Sequence, residues 1–127
     1  MKYLLLLAVD GPVDGLVGPA GPDQAPVVAR YQSLRQNLEG AGIWCGGEAL
    51  RPASSVTGVR VRDGRVVLHD GQFVGMTGNL VGYYLVDCDD LDQAIDVSSR
   101  IPIVEHGAIE IWPVDERHAA MQVPLRG

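Results

Sequence analysis

The order of strand-like and helix-like segments in this 127-residue chain predicts a single α+β domain with helices packed on one side of a sheet. Two segments carry apolar residues at helical spacing, and four others are apolar enough to be central strands. An Asp63-Gly64 pair between two further strand-like segments predicts a β-hairpin. The hydrophobic content of 46% is sufficient for a core.

The first half of the chain predicts strand, loop, helix and strand. Residues 3–9 are all apolar and form the first strand, whose two faces should both be covered. Residues 10–26 are rich in Gly and Pro and form a flexible loop, either a lid or a surface insertion. Residues 25–41 form a helix, and 43–50 the second strand. The inward stripe of the helix is Val27, Tyr31, Leu34, Leu38 and Ala41.

The hairpin is predicted over residues 57–70, and its turn fixes the register. A type I′ turn at Asp63-Gly64 places Arg62 opposite Arg65 and Val61 opposite Val66. One face of the hairpin is therefore apolar and consists of Val59, Val61, Val66 and Leu68. The other face consists of Arg60, Arg62, Arg65 and His69. Asp70 follows on the apolar, inward side, so we do not expect it to act as a pair with His69.

The second half predicts strand, helix and strand. In the strand over 80–88, Tyr83 and Leu85 share one face, and Tyr84, Val86 and Cys88 share the other. Asp89 or Asp90 caps the second helix, which Pro102 ends. Its predicted inward stripe is Leu91, Ala94, Ile95 and Ser98. In the last strand, over 108–114, Ile109 and Ile111 face away from Glu110 and Trp112. Residues 115–127 form a C-terminal tail.

Without the inserted hairpin, this order is βαββαβ, the ferredoxin-like split βαβ arrangement. Two helices cover only one face of a four-stranded sheet, whereas the strands are apolar on both faces. The uncovered face predicts a partner, and the simplest one is a second copy of the same chain. We therefore expect a homodimer.

Composition excludes several classes of function. A net charge of -6 argues against a nucleic-acid partner, and no apolar run reaches the ~20 residues that span a bilayer. Cys45 and Cys88 lack metal-ligand spacing and are interpreted as two buried thiols of a cytoplasmic protein. The sequence contains no metal-binding triad and no phosphate-binding glycine loop, so we expect neither a metal nor a cofactor.

Four segments together resemble the DGPF branch of the YCII-related family over nearly the whole chain. They are GIWCGGEAL, VRVRDGRVVLHDGQF, GYYLVDCDDLDQAIDVSSRIP and AIEIWPV. The resemblance implies a single YCII-related domain over 1–127, whose sheets pair into a dimeric α/β barrel. Most members of the family have no assigned activity. A few relatives are degradative enzymes that act on chlorinated aromatics, and a His–Asp pair has been proposed as an active site in the wider family.

The chain departs from this family pattern where charges are usual. Gln72 replaces the Pro of Asp-Gly-Pro-Phe, Gly75 and Gly78 stand where carboxylates are usual, and Thr77 stands where Lys is usual. Trp112 replaces the Arg of Glu-x-Arg-Pro, and Tyr31 stands where the first helix often carries a His. These losses favour binding over catalysis.

The candidate catalytic residues are Asp70, at the inward end of the hairpin, and Glu110, on the uncovered face of the last strand. Asp70 has a second interpretation as a turn-forming residue, and Glu110 as the partner of an Arg across the dimer. The candidate ligand-binding residues are Phe73, Tyr83, Trp112 and His106. Trp44, Tyr83 and Tyr84 either line a site or belong to the core.

Three functions are compatible with these residues. The first is a non-catalytic module that binds a small organic ligand or has a regulatory role. The second is a lyase or hydrolase that acts on a small metabolite by acid–base catalysis. The third is a protein-interaction partner of a transcription regulator, which no residue specifically favours.

Overall fold

The computed structural model describes residues 1–9, 25–51, 55–72 and 78–116. The elements are β1 (Lys2–Val9), α1 (Ala25–Gly40), β2 (Trp44–Ala49), β3 (Thr57–Arg62), β4 (Arg65–Asp70), β5 (Asn79–Asp87), α2 (Leu91–Arg100), a 3₁₀ helix (Pro102–Glu105) and β6 (Ala108–Pro113). This order agrees with the sequence prediction and adds the 3₁₀ helix. Most of the predicted loop, residues 10–24, and residues 117–127 of the predicted tail lie outside the described part.

The main sheet has the strand order β2-β5-β1-β6, and all neighbouring strands are antiparallel. β1 is central, so that Leu6 lies opposite Tyr83 of β5 on one side and opposite Glu110 of β6 on the other. The hairpin β3–β4 forms a separate two-stranded sheet. The architecture is α+β and compatible with a ferredoxin-like fold.

The helices cover one face of the main sheet. In β1, Tyr3, Leu5 and Leu7 are buried while Leu4 and Leu6 are only half-buried, because successive side chains of a strand point to opposite faces. The helix-covered face holds the core, to which both helices contribute buried side chains. The other face, here called the open face, carries Leu4, Leu6, Tyr83, Leu85, Glu110 and Trp112. The expectation that both faces are covered is therefore not met within one chain.

The hairpin has the predicted register, with Arg62 opposite Arg65 and Val61 opposite Val66. Asp63 and Gly64 have φ of 54° and 74°, the left-handed values that a type I′ turn requires. The expected burial of its apolar face is wrong for the described part of the chain, because all of β4 is exposed and no described element covers it. Asp70 is consequently exposed rather than inward.

Helix α2 begins at the Asp90 cap, whose carboxylate accepts a hydrogen bond from the Gln93 amide at 2.9 Å. Its predicted inward stripe is wrong in part. Leu91 and Ile95 are about half exposed, and Val97 is fully buried instead. Ala94 and Ser98 belong to two overlapping stripes of this helix. The stripe that packs into the core is the one that contains Val97 and continues to Ile101.

The two cysteines are both free thiols; Cys88 is buried as expected, whereas Cys45 is exposed because it lies at the edge of the sheet. An ion pair between Arg30 and Glu105 joins α1 to the 3₁₀ helix. Across the described ranges, no helix combines the length and the apolar character that a membrane span requires.

Candidate functional site

A cavity of about 250 Å³ lies on the helix-covered side of the sheet, between α1 and the β2–β5 half. Because its walls come from described helix and strand residues, it is the candidate functional site, here called the helix-side cavity. Its lining residues are Leu7, Tyr31, Gln32, Arg35, Trp44, Gly47, Glu48, Ala49, Val81, Gly82 and Tyr84. Apolar walls with a few polar groups are typical of small-molecule sites.

Two glycines leave room for this cavity. Gly47 of β2 lies opposite Tyr84, and Gly82 of β5 lies opposite Ala49, so the two glycines are diagonal neighbours on the sheet side of the cavity, where most residues would project a side chain toward α1. A Cβ on Gly82 would lie 3.0 Å from the Glu48 carbonyl oxygen, and one on Gly47 would lie 2.7 Å from the Trp44 ring. Any side chain at either position would therefore displace its neighbours and reduce the space. Glycine within a strand often marks such a close approach.

An aromatic pair forms one wall. The rings of Trp44 and Tyr84 pack edge to face, with centroids 4.9 Å apart and an interplanar angle of 75°. The guanidinium carbon of Arg35 lies 4.7 Å from the Trp44 ring centroid, which is cation–π geometry. Arg35 also donates through Nε to Glu39 one turn further along α1, at 3.2 Å. Both contacts hold the cation at the cavity.

Burial sets the protonation of the tyrosines. Desolvation raises the pKa of Tyr84 from 10.0 to about 12, with Tyr31 adding to the rise and Arg35 opposing it. Burial also raises the pKa of Tyr31, against an opposing effect of the Ile103 backbone. That backbone does not reach hydrogen-bond geometry, so among the described residues the buried Tyr31 hydroxyl has no partner. Both phenols are neutral at physiological pH.

On the open face, β1 separates Tyr83 from Glu110 by one strand, with Leu6 between them. The Trp112 indole Nε1 donates to Glu110 Oε1 at 2.9 Å, which joins two of the predicted site residues. Glu110 is half-buried, whereas Trp112 is 55% exposed. The structure thus gathers Tyr83, Glu110 and Trp112 on one surface, and none of the three lines the helix-side cavity.

The other predicted site residues lie elsewhere. Asp70 is opposite Thr57 at the base of the hairpin, on a different sheet from Glu110. His106 is exposed at the end of the 3₁₀ helix. Phe73 lies outside the described residues. Within the ranges that the structure covers, no three His, Cys, Asp or Glu side chains gather to hold a metal.

A second cavity of about 300 Å³ lies between the base of the hairpin and the start of β5. Gln72 is part of its lining, and its side chain makes two hydrogen bonds to the backbone at the start of β5. Its amide donates to the Gly78 carbonyl at 3.1 Å, and its side-chain oxygen accepts from the Leu80 amide at 2.9 Å. Gln72 therefore links the base of the hairpin to β5.

The sequence prediction missed Arg35, Gly47 and Gly82 as site residues and left Trp44 and Tyr84 open between lining and core. The available signal was the occurrence of glycines within β2 and β5. Their diagonal placement depends on the pairing of these two strands, which lie far apart in sequence.

Comparison with known proteins places the chain in a family. Residues 1–117 match the YCII-related domain. An uncharacterized protein of Rhizobium meliloti (strain 1021) is 36% identical over 67 residues, which are 51% of this chain and 54% of that relative. The alignment thus covers about half the length of the relative. Because the family match takes in most of the sequence, the chain belongs to the YCII-related domain family.

Proposed function

We propose that this protein is a non-catalytic module that binds a small organic molecule in the helix-side cavity. The cavity itself is the observation that carries the proposal. At about 250 Å³, it exceeds the roughly 150 Å³ that holds a benzene ring, so it fits one ring with small substituents. Its walls combine the Trp44–Tyr84 pair with the single cation of Arg35, which suits orientation of a ligand.

The titratable groups at the cavity favour binding over catalysis. A general base needs a pKa near the working pH, whereas Tyr84 ionises at about 12 and Arg35 is permanently charged. Glu48 lies opposite Tyr83 in the register, so its side chain projects from the open face rather than into the cavity. No described side chain is therefore placed to accept a proton from a ligand bound there.

We further propose that two copies pair through their open faces into a dimeric α/β barrel. Leu4, Leu6, Tyr83 and Leu85 form a continuous surface that no described element covers, and Trp112 extends it. Such a surface favours association, and a two-fold axis lets each copy cover the other. Membership of the DGPF branch and a cytoplasmic location belong to the same proposal, and the free thiols of Cys45 and Cys88 support the latter.

The second candidate function is a lyase or hydrolase with Asp70 and Glu110 as acid–base residues and Phe73, Tyr83, Trp112 and His106 around the ligand. The hydrogen bond from Trp112 to Glu110 favours it, because it fixes a carboxylate on a surface that a second copy would bury. In that case Glu110→Gln would abolish turnover of a bound ligand while leaving its affinity nearly unchanged.

A fragment screen by thermal shift and NMR, with a cavity-filling variant, tests the binding proposal. Ala49 lines the cavity from the edge strand β2 and is exposed, so that Ala49→Leu should fold normally while occupying the space. Ala29→Leu, at an exposed position of α1 outside the cavity, is the matched control. We expect single-ring fragments to bind wild type and Ala29→Leu but not Ala49→Leu. Equal binding to all three proteins, or to none of them, would contradict the proposal.

A further inference from the structure

The helix-side cavity contains one charged side chain whose position and bonding suit a ligand. Arg35 lines the cavity from α1, and it donates a hydrogen bond to Glu39 through Nε. Within the described part of the chain, its two terminal nitrogens make no hydrogen bond. The same guanidinium lies over the Trp44 ring, so its position is fixed before a ligand arrives. These two terminal nitrogens can each donate a hydrogen bond to one oxygen of a carboxylate.

The charges around Arg35 do not cancel this preference inside the cavity. Glu39 is exposed and lies one helical turn away, outside the cavity lining. Glu48 contributes its backbone to the lining, and its side chain belongs to the opposite face with Tyr83. The effect of Arg35 also reaches the opposite wall, where it lowers the pKa of Tyr84 against the rise that burial causes. Arg35 is therefore the one cation among the described residues that line the cavity, and it pairs with Glu39 outside that lining.

The remaining walls favour a flat ring. The rings of Trp44 and Tyr84 are inclined at 75° with centroids 4.9 Å apart, so this wall is aromatic in two orientations. An aromatic ligand can complete this arrangement with offset or edge-to-face contacts. Leu7 and Val81 are apolar lining residues of the cavity. A ligand ring that replaces water against them leaves no polar atom unpaired.

Building on the proposed function, we infer that the cavity selects small aromatic carboxylates, with the ring against Trp44 and Tyr84 and the carboxylate on Arg35. The ring supplies apolar contact, and the carboxylate receives charge-assisted hydrogen bonds from the terminal guanidinium nitrogens. Arg35 is then the specificity-determining residue of the site.

Benzoate and benzamide are the probes that test this inference, because they share size and ring and differ in charge. Titration followed by ¹H–¹⁵N NMR should give a Kd for benzoate of about 1 mM, the range expected for a ligand of this size. Benzamide should bind wild type about tenfold more weakly or worse, since hydrogen bonds between charged groups contribute more than neutral ones.

Two variants test whether the preference for the charged ligand arises at Arg35. Arg35→Gln should weaken benzoate binding about tenfold to a hundredfold and leave benzamide unchanged. Arg62→Gln removes an exposed arginine from the hairpin and should change neither. If benzamide binds as tightly as benzoate, or if Arg35→Gln binds benzoate like wild type, the inference is wrong while the binding proposal stands. If no ring compound binds wild type, both are wrong.

Discussion

At the scale of single residues, the candidate site depends on buried phenols that stay neutral. Tyr84 is buried and packs against Trp44, and this burial raises its pKa to about 12. Tyr31 is only partly buried as a residue, but its hydroxyl is buried and has no partner within the described ranges. A separate stability prediction therefore follows for each of the two tyrosines.

Tyr84 should make the protein less stable at alkaline pH. The unfolded chain loses this proton near pH 10.0, whereas the folded protein holds it to about pH 12. In that window the folded state binds more protons, so the free energy of unfolding is intact below pH 10 and falls as pH rises, by at most about 1.4 kcal/mol per pH unit for this group. Subtracting the 295 nm absorbance titration of Tyr84→Phe from that of wild type should give a midpoint near 12. A midpoint near 10 would refute it.

Removal of the Tyr31 hydroxyl should not destabilise the protein. An unsatisfied buried hydroxyl costs about 1–3 kcal/mol, so Tyr31→Phe should leave the free energy of unfolding unchanged or raise it by about 1 kcal/mol. Tyr31→Ala, which also removes the packed ring, should lower it by about 2–4 kcal/mol. Urea denaturation measures both changes. A loss above about 1 kcal/mol for Tyr31→Phe would mean that the hydroxyl does bond, with the Ile103 backbone as the nearest candidate.

At the scale of elements, helix α2 shows that apolar periodicity alone does not determine which side chains are buried. Val97 is fully buried and Ile95 is 50% exposed, although both fit an amphipathic stripe. Val97→Ala should therefore lower the free energy of unfolding by about 1.5–3 kcal/mol, and Ile95→Ala by less than about 1 kcal/mol. The reverse order in urea denaturation would show that the helix presents Ile95 to the core.

The alternation of side chains along strands, together with turn chemistry, made most elements predictable. The Asp63-Gly64 turn determined the hairpin register, and alternation assigned Tyr83 and Tyr84 to opposite faces. The 3₁₀ helix was not predicted, because a four-residue helix has too few positions to show a period. The helix-side cavity was not predicted either, since it depends on Gly47 and Gly82 lying diagonally across β2 and β5, an arrangement that only the folded sheet creates.

At the scale of the whole molecule, the proposed dimer depends on the open face. Leu85 is half-buried on that face. A carboxylate at this position would lose its hydration if a second copy covered the face, and this loss disfavours the dimer. We expect wild type to be a dimer at micromolar concentration by sedimentation velocity, and Leu85→Glu to be a folded monomer.

Ile95→Glu is the matched control for this experiment, because Ile95 is a half-exposed aliphatic residue on α2, away from the open face. It should remain dimeric. A monomeric wild type would contradict the dimer proposal, and a dimeric Leu85→Glu would assign the interface to another surface, such as the exposed hairpin.

The two tryptophans report separately on the helix-side cavity and the open face, because Trp44 lines the first and Trp112 lies on the second. The most direct test of the central claim follows their two indole N–H signals in ¹H–¹⁵N spectra during a benzoate titration. Binding in the helix-side cavity predicts a saturable shift of the Trp44 signal and none of the Trp112 signal. A shift of Trp112 alone, or of neither signal, would contradict it.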